Sequence, residues 1–250
     1  MQKVSVLTYH VNSLLKTATS SMAHYALKKL VIPLIICVHG FASSQREHII
    51  FTGCMFFSQQ GFDTFRFDLY SSEEKGRRLE ETNLSIHAND LSTVINQFKT
   101  RYTHIFLIGH SLGGPVIGLS DLTSITSICL WDPRIRLDTF EEKLGVRSLP
   151  LTDYYLLDWG ATIVVNKKIF SEWKQFDNHA FVKSLIVPVK ITTAKVHCWN
   201  YQHWPEFLPL IPAEYAYHEI DHADHYFDTK ESEQELFDET LLWFNNNRKQ

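Results

Sequence analysis

Cysteine is scarce in this 250-residue chain and is never arranged in pairs. Cys37, Cys54, Cys129 and Cys198 stand apart, with no C-x-x-C spacing. A zinc ribbon and a dithiol redox centre are thereby excluded. Positive charge is not in excess. Twenty-four Lys and Arg face 28 Asp and Glu, a formal net charge of -4, and no dense basic cluster stands out. General affinity for nucleic acid or an anionic membrane is therefore not expected. No apolar run approaches the roughly 18 residues that span a bilayer. The N-terminal stretch MQKVSVLTYHVNSLLKTATSS is broken by polar residues and makes a poor signal peptide. No G-x-G-x-x-G opens a helix, and Gly113-Gly114-Pro115 has no lysine for cradling phosphate. Internal repeats and low-complexity segments are also missing. The expectation is a soluble, cytoplasmic protein. Cys37 and Cys129, set inside apolar runs, suit a reducing compartment.

What is present is ordinary globular composition: 44% hydrophobic, 13% aromatic and 21% charged residues. That fits one large α/β domain over residues 1–250. The apolar stretches at 34–38, 62–68, 105–108, 125–131, 187–193 and 214–220 are predicted as strands. Those that run on without polar alternation imply a parallel sheet covered on both faces. Residues 45–60, 85–100, 113–119 and 230–246 are predicted as helices. Strands alternating with helices argue for a mainly parallel α/β architecture. The first 34 residues alternate weakly and read as two antiparallel edge strands. Residues 133–185 are too long for a simple connection and rich in aromatics, including Tyr154, Trp159 and Trp173. They are predicted to fold as an inserted cap.

The most informative stretch is Gly109-His110-Ser111-Leu112-Gly113-Gly114. It falls where a predicted strand meets a predicted helix. A serine at such a turn sits on a tight backbone, and its neighbours must be small for strand and helix to approach. A hydroxyl is a poor nucleophile without a base to take its proton. Histidine is the usual base. Of 13 histidines, those in the loop after the last strand lie at the sheet edge where Ser111 sits. His222 and His225 both meet that condition.

Three segments, in order, resemble the α/β-hydrolase-fold serine hydrolases: His39-Gly40-Phe41, Gly109-His110-Ser111-Leu112-Gly113-Gly114 and Ala223-Asp224-His225-Tyr226-Phe227. The likeness runs from Leu34 to the C-terminal helix. It implies the α/β-hydrolase fold, a nucleophile–acid–histidine order and no metal or cofactor. The Asp-His loop matches at His225, which the resemblance therefore favours over His222. Many relatives carry an acid after the strand that precedes the histidine strand. Here that position, Ile191 to Trp199, has no Asp or Glu. Asp132 ends the strand before it, at the same sheet edge, a location that some branches use. It is assigned as the orienting acid, with Asp68, Asp121 and Asp224 as weaker alternatives. Backbone N–H groups of Phe41 and Leu112 are implied as oxyanion donors. His39 and His110 are expected to position rather than to act as bases.

The spacing His218-x-x-x-His222-x-x-His225 has a metal-like look, with His197, Cys198 and His203 nearby. A strand running into a loop does not set such residues on one helix face, so no metal is expected. Tyr154, Trp159 and Trp173 are expected to line an acyl or aryl pocket. The function expected is cleavage of a carboxylic ester, thioester or related acyl bond in a small molecule. Transfer of the acyl group to another acceptor, or a non-catalytic binder on the same fold, is the alternative.

Overall fold

An apolar run without a polar face has nothing to offer solvent, and in the computed structural model such runs become the inner strands of one parallel sheet. The structure describes residues 30–71, 76–139, 146–158 and 162–248. The strands are β1 (Leu34–Val38), β2 (Asp63–Arg66), β3 (Ile105–His110), β4 (Ser127–Trp131), β8 (Val189–Ala194) and β9 (Tyr215–Ile220). They pair in the order β2-β1-β3-β4-β8-β9, every neighbour parallel. Successive side chains point to opposite faces. Leu34, Ile36, Val38, Leu107, Ile128, Leu130 and Ile191 build one core. Ile35, Cys37, Phe106, Ile108, Cys129 and Trp131 build the other. Helices α2 (Leu84–Phe98) and α3 (Gly113–Gly118) cover the first face. Helices α1 (His48–Gln59) and α7 (Lys230–Asn247) cover the second with Ile49, Ile50, Phe57, Phe237 and Phe244. Each large side chain so buried contributes about 1.5–3 kcal/mol.

The parallel register aligns the strand ends that matter. Val38 pairs with Gly109, His110 with Trp131 and Trp131 with Thr192. The residues that follow β1, β3 and β4 therefore leave the sheet side by side.

Between β4 and β8 lies the inserted cap. It carries the antiparallel strands β5 (Val146–Ser148), β6 (Tyr154–Asp158) and β7 (Thr162–Asn166), then α4 (Lys167–Lys174) and α5 (Asn178–Lys183). Asn166 caps α4 by accepting from the Lys168 N–H, and Asp177 caps α5 through the His179 and Ala180 N–H groups. Phe170, Trp173 and Phe181 bury themselves beneath it.

Some expectations shift. The first helix starts at His48, not near 45, because the Gln45 N–H bonds the Asp68 carboxylate instead of entering a helix. Helix α6 (Asn200–Phe207) contains Pro205 and carries no clear helical pattern in sequence. The antiparallel strands expected over the first 34 residues lie largely on residues 1–29, outside the described residues; of the rest, Leu30 makes one isolated parallel bridge to Tyr102 and residues 31–33 form no strand. Among the described residues no helix is long and apolar enough to cross a membrane.

Candidate active site

The turn between β3 and α3 holds Ser111 at a φ of 53°, a left-handed conformation that a non-glycine residue adopts only under constraint. The constraint comes from both sides. The Ser111 N–H donates to the Trp131 carbonyl at 3.0 Å, and the Ser111 carbonyl accepts from Gly114 and Arg134 at 3.1 and 3.0 Å. The flanking glycines are dictated by contact. A Cβ on Gly113 would lie 2.4 Å from the Val38 carbonyl oxygen, and one on Gly109 would lie 2.6 Å from Ile117. A Cβ on Gly40 would meet that of Ser111 at 3.1 Å, so the backbone leading to Phe41 runs directly beside the serine.

His225 lies in the loop between β9 and α7, and its Nε2 sits 3.1 Å from Ser111 Oγ. Its Nδ1 bonds Asp132 Oδ2. A carboxylate only accepts, so Nδ1 carries the proton and Nε2 is left to accept from the serine hydroxyl. Asp132 follows β4, is fully buried and has a φ of 37°. Its carboxylate also accepts from Asn200 Nδ2 at 3.0 Å and from the Ala194 N–H at 3.4 Å. The structure thus brings Ser111, His225 and Asp132 together from three strand ends.

The competing residues are held elsewhere. His222 is half exposed, 3.7 Å from Glu235 on α7, and His218 bonds the same carboxylate at 2.7 Å. The three histidines of the metal-like spacing do not converge. Asp68 accepts from the backbone and side chain of Gln45. Asp121 accepts from Thr123, and Asp224 from the Tyr226 N–H within the His225 loop.

The family model for the alpha/beta hydrolases matches residues 35–239. The chain belongs to the alpha/beta hydrolase family. Solved alpha/beta-hydrolase structures share its architecture at low identity. Est1E from Butyrivibrio proteoclasticus, with ferulic acid bound, superposes with a TM-score of 0.70 at 18% identity, covering 86% of this chain and 90% of that one. Alpha/beta hydrolase domain-containing protein 10 from mouse gives 0.67 at 17% identity, covering 88% and 92%. Dienelactone hydrolase from Anabaena variabilis gives 0.62 at 12% identity, covering 87% of each. No curated protein matches the chain by sequence.

In this hydrolase a cavity of about 360 Å³ opens over Ser111 and His225. Its walls include Phe41, Arg134, Ile163 of the cap, Trp199 and Tyr226. Two of the expected lining residues do not reach it. Trp173 is fully buried behind the cavity, its ring 5.0 Å edge-on from Phe41 and 5.1 Å from Phe170. Tyr154 sits on the exposed side of β6. Trp159 lies outside the described residues. Phe41 does line the cavity, and Leu112 is buried immediately beyond Ser111.

The sequence reading missed Asn200, Arg134 and Glu47. The Arg134 guanidinium lies 4.7 Å over the Trp199 ring, and burial lowers its pKa to about 10, so it stays cationic near neutrality. Glu47 reaches His110 Nδ1 at 2.6 Å and accepts from Ser43 Oγ at 2.8 Å. Burial alone would raise the Glu47 carboxyl, but the facing His110 and the Ser43 hydroxyl outweigh it and hold the pKa near 2. Burial would likewise lower His110, yet Glu47 raises it above the usual histidine value. His39 makes no such pairing. Burial keeps it below the ordinary value, and its Nε2 accepts from the Leu69 N–H at 3.0 Å.

Asp132, Cys198 and His225 place three ligand-type atoms within 4.8 Å of one another. Asp132 and His225 already bond each other, and burial with nearby carboxylates pushes the Cys198 thiol up to about 12.

Proposed function

We propose that the protein is a serine hydrolase that cleaves a carboxylic ester, thioester or related acyl bond of a small molecule through an acyl-enzyme on Ser111. The observation that carries this reading is the continuous chain from Ser111 Oγ to His225 Nε2 at 3.1 Å, and from His225 Nδ1 to Asp132. His225 takes the hydroxyl proton as Ser111 attacks the substrate carbonyl, because its Nε2 is the unprotonated nitrogen. Asp132 holds that tautomer and stabilises the imidazolium that forms. The oxyanion is received by the N–H groups of Phe41 and Leu112, the two residues whose backbone flanks the serine. His225 returns its proton to the leaving group. Water deprotonated by the same ring then attacks the acyl carbonyl, and the acid leaves with Ser111 restored. A buried acid, a half-exposed base and a cavity opening onto both fit a substrate that enters from solvent.

The test is steady-state hydrolysis of short p-nitrophenyl esters and thioesters. Wild-type protein should turn over at least one of them, and Ser111→Ala should lose roughly 10⁴-fold or more in kcat. Turnover by Ser111→Ala at the wild-type rate would remove the serine from the mechanism.

A further inference from the structure

His110 precedes the serine, lies at the end of β3 and is almost completely buried. Both of its ring nitrogens meet acceptors. Nδ1 faces the Glu47 carboxylate at 2.6 Å, and Nε2 lies 2.9 Å from the backbone carbonyl of His225. Neither partner has a proton to give, so both nitrogens carry one and His110 is an imidazolium paired with a carboxylate. Its ring centroid is 4.8 Å from that of His225. Glu47 belongs to the segment between β1 and α1 that also contains Phe41. Ser43 in that segment is tied to Glu47 through its hydroxyl and to Tyr70 through its N–H.

We infer that Glu47 and His110 are positioning residues of the proposed active site: a buried ion pair that clamps the His225 carbonyl and joins the loop carrying the base to the loop carrying Phe41. The inference rests on the hydrolase reading above. The pair offers a hydrogen-bond donor that cannot be lost near neutral pH, because the carboxylate keeps the imidazole charged against burial. A loop without that donor would let the His225 ring swing away from Ser111, and a misplacement of about 1 Å costs on the order of 100-fold in rate. Other titratable groups face this cluster: Asp132 after β4, His39 after β1, Tyr70 beside Glu47 and Tyr226 beside His110, while Cys198 after β8 stands by Asp132 and His225.

Three variants separate positioning from mere support of the fold. In Glu47→Gln the amide can donate to Nδ1, so a neutral His110 keeps its Nε2–H bond to the His225 carbonyl. We expect kcat to fall only a few-fold. Adding His110→Leu to that background removes the donor without stranding a buried carboxylate. kcat should then drop roughly 10- to 100-fold with KM unchanged within about twofold. Adding His110→Gln instead supplies an amide donor and should recover most of the loss. Ring ¹⁵N spectra of the full-length protein read the protonation of His110 directly. Wild-type His110 should show two protonated nitrogens at pH 7.5, and Glu47→Gln only one. The inference is overturned if the Leu and Gln double variants share the single variant's kcat, or if wild-type His110 shows only one protonated nitrogen at pH 7.5. Should the wild type hydrolyse nothing, the enzymatic reading fails, and the spectra still decide whether the pair is charged.

Discussion

Asn200 donates its side-chain amide to both the carboxylate and the backbone carbonyl of Asp132, at 3.0 and 3.2 Å. A residue 68 positions downstream thus fixes the rotamer of the acid that in turn fixes His225. Fully buried carboxylates need such donors, since an unmatched charge in the interior costs several kcal/mol.

Two substitutions test this arrangement. Asp132→Asn presents an amide that can donate to Nδ1, which favours the tautomer with its proton on Nε2. Nε2 can then no longer accept from Ser111, and kcat should fall roughly 10³- to 10⁴-fold with the fold intact. Asn200→Ala leaves the carboxylate in place with one donor fewer, so a loss of about 10-fold is expected. Kinetics that rank these two in the reverse order would show that Asn200, not Asp132, governs the histidine.

Gly113→Ala should be far more damaging than an ordinary helix substitution. Its methyl would press on the Val38 carbonyl, a backbone atom that cannot turn aside. Overpacking of this kind costs about 1–3 kcal/mol or more. The midpoint of urea unfolding should fall accordingly, and hydrolysis should fall with it, because β1 leads straight into the Phe41 loop. An unchanged midpoint would mean that α3 can slide away from the sheet.

How far this site was legible in the sequence follows from the range of the interactions. The serine turn and the buried strands are local patterns, and they predicted β1, β3, β4 and the elbow with only small shifts of boundary. Asp132 could be chosen because a strand end fixes where its residue emerges. Asn200 and Glu47 left no such mark. Each meets its partner across more than 60 residues of chain, and a lone Asn or Glu in a loop has no period to betray it. The aromatic cap misled for a different reason. Abundant aromatics do not say which way they face. The spacing of Ile169, Phe170 and Trp173 along α4, all buried, is that of a core-facing stripe, and it was the signal that would have placed Trp173 beneath the cavity.

Trp173→Ala should accordingly act on stability and on kcat, not on substrate affinity. Removing a fully buried indole costs about 3–5 kcal/mol, and Phe41 loses the ring it packs against. Thermal unfolding should come markedly earlier, kcat should fall, and KM for small aryl esters should stay within about twofold. A selective rise in KM at unchanged stability would put Trp173 back in the pocket wall.

Acid sensitivity should trace to His87. It is completely buried on α2, both ring nitrogens lack hydrogen-bond partners, and burial lowers its pKa to about 3. The unfolded chain binds that proton near pH 6.5. The neutral ring's contribution is therefore fully present above 6.5 and is lost as pH falls toward 3, by at most on the order of 4–5 kcal/mol. Glu47, held near 2, adds a second loss that begins below about pH 4.5. Urea midpoints measured from pH 8 to pH 4 should decline in wild type and decline less steeply in His87→Leu, where the buried His39 keeps a smaller loss in the same window. Parallel curves for the two proteins would assign the acid sensitivity elsewhere.

The most direct measurement is intact mass after treatment with a fluorophosphonate. Wild-type protein should gain a single phosphonyl group, with the label on the peptide that contains Ser111, and Ser111→Ala and Asp132→Asn should gain none at the same exposure. Equal labelling of wild type and Ser111→Ala would contradict the account, because it would put the activated nucleophile on a different residue.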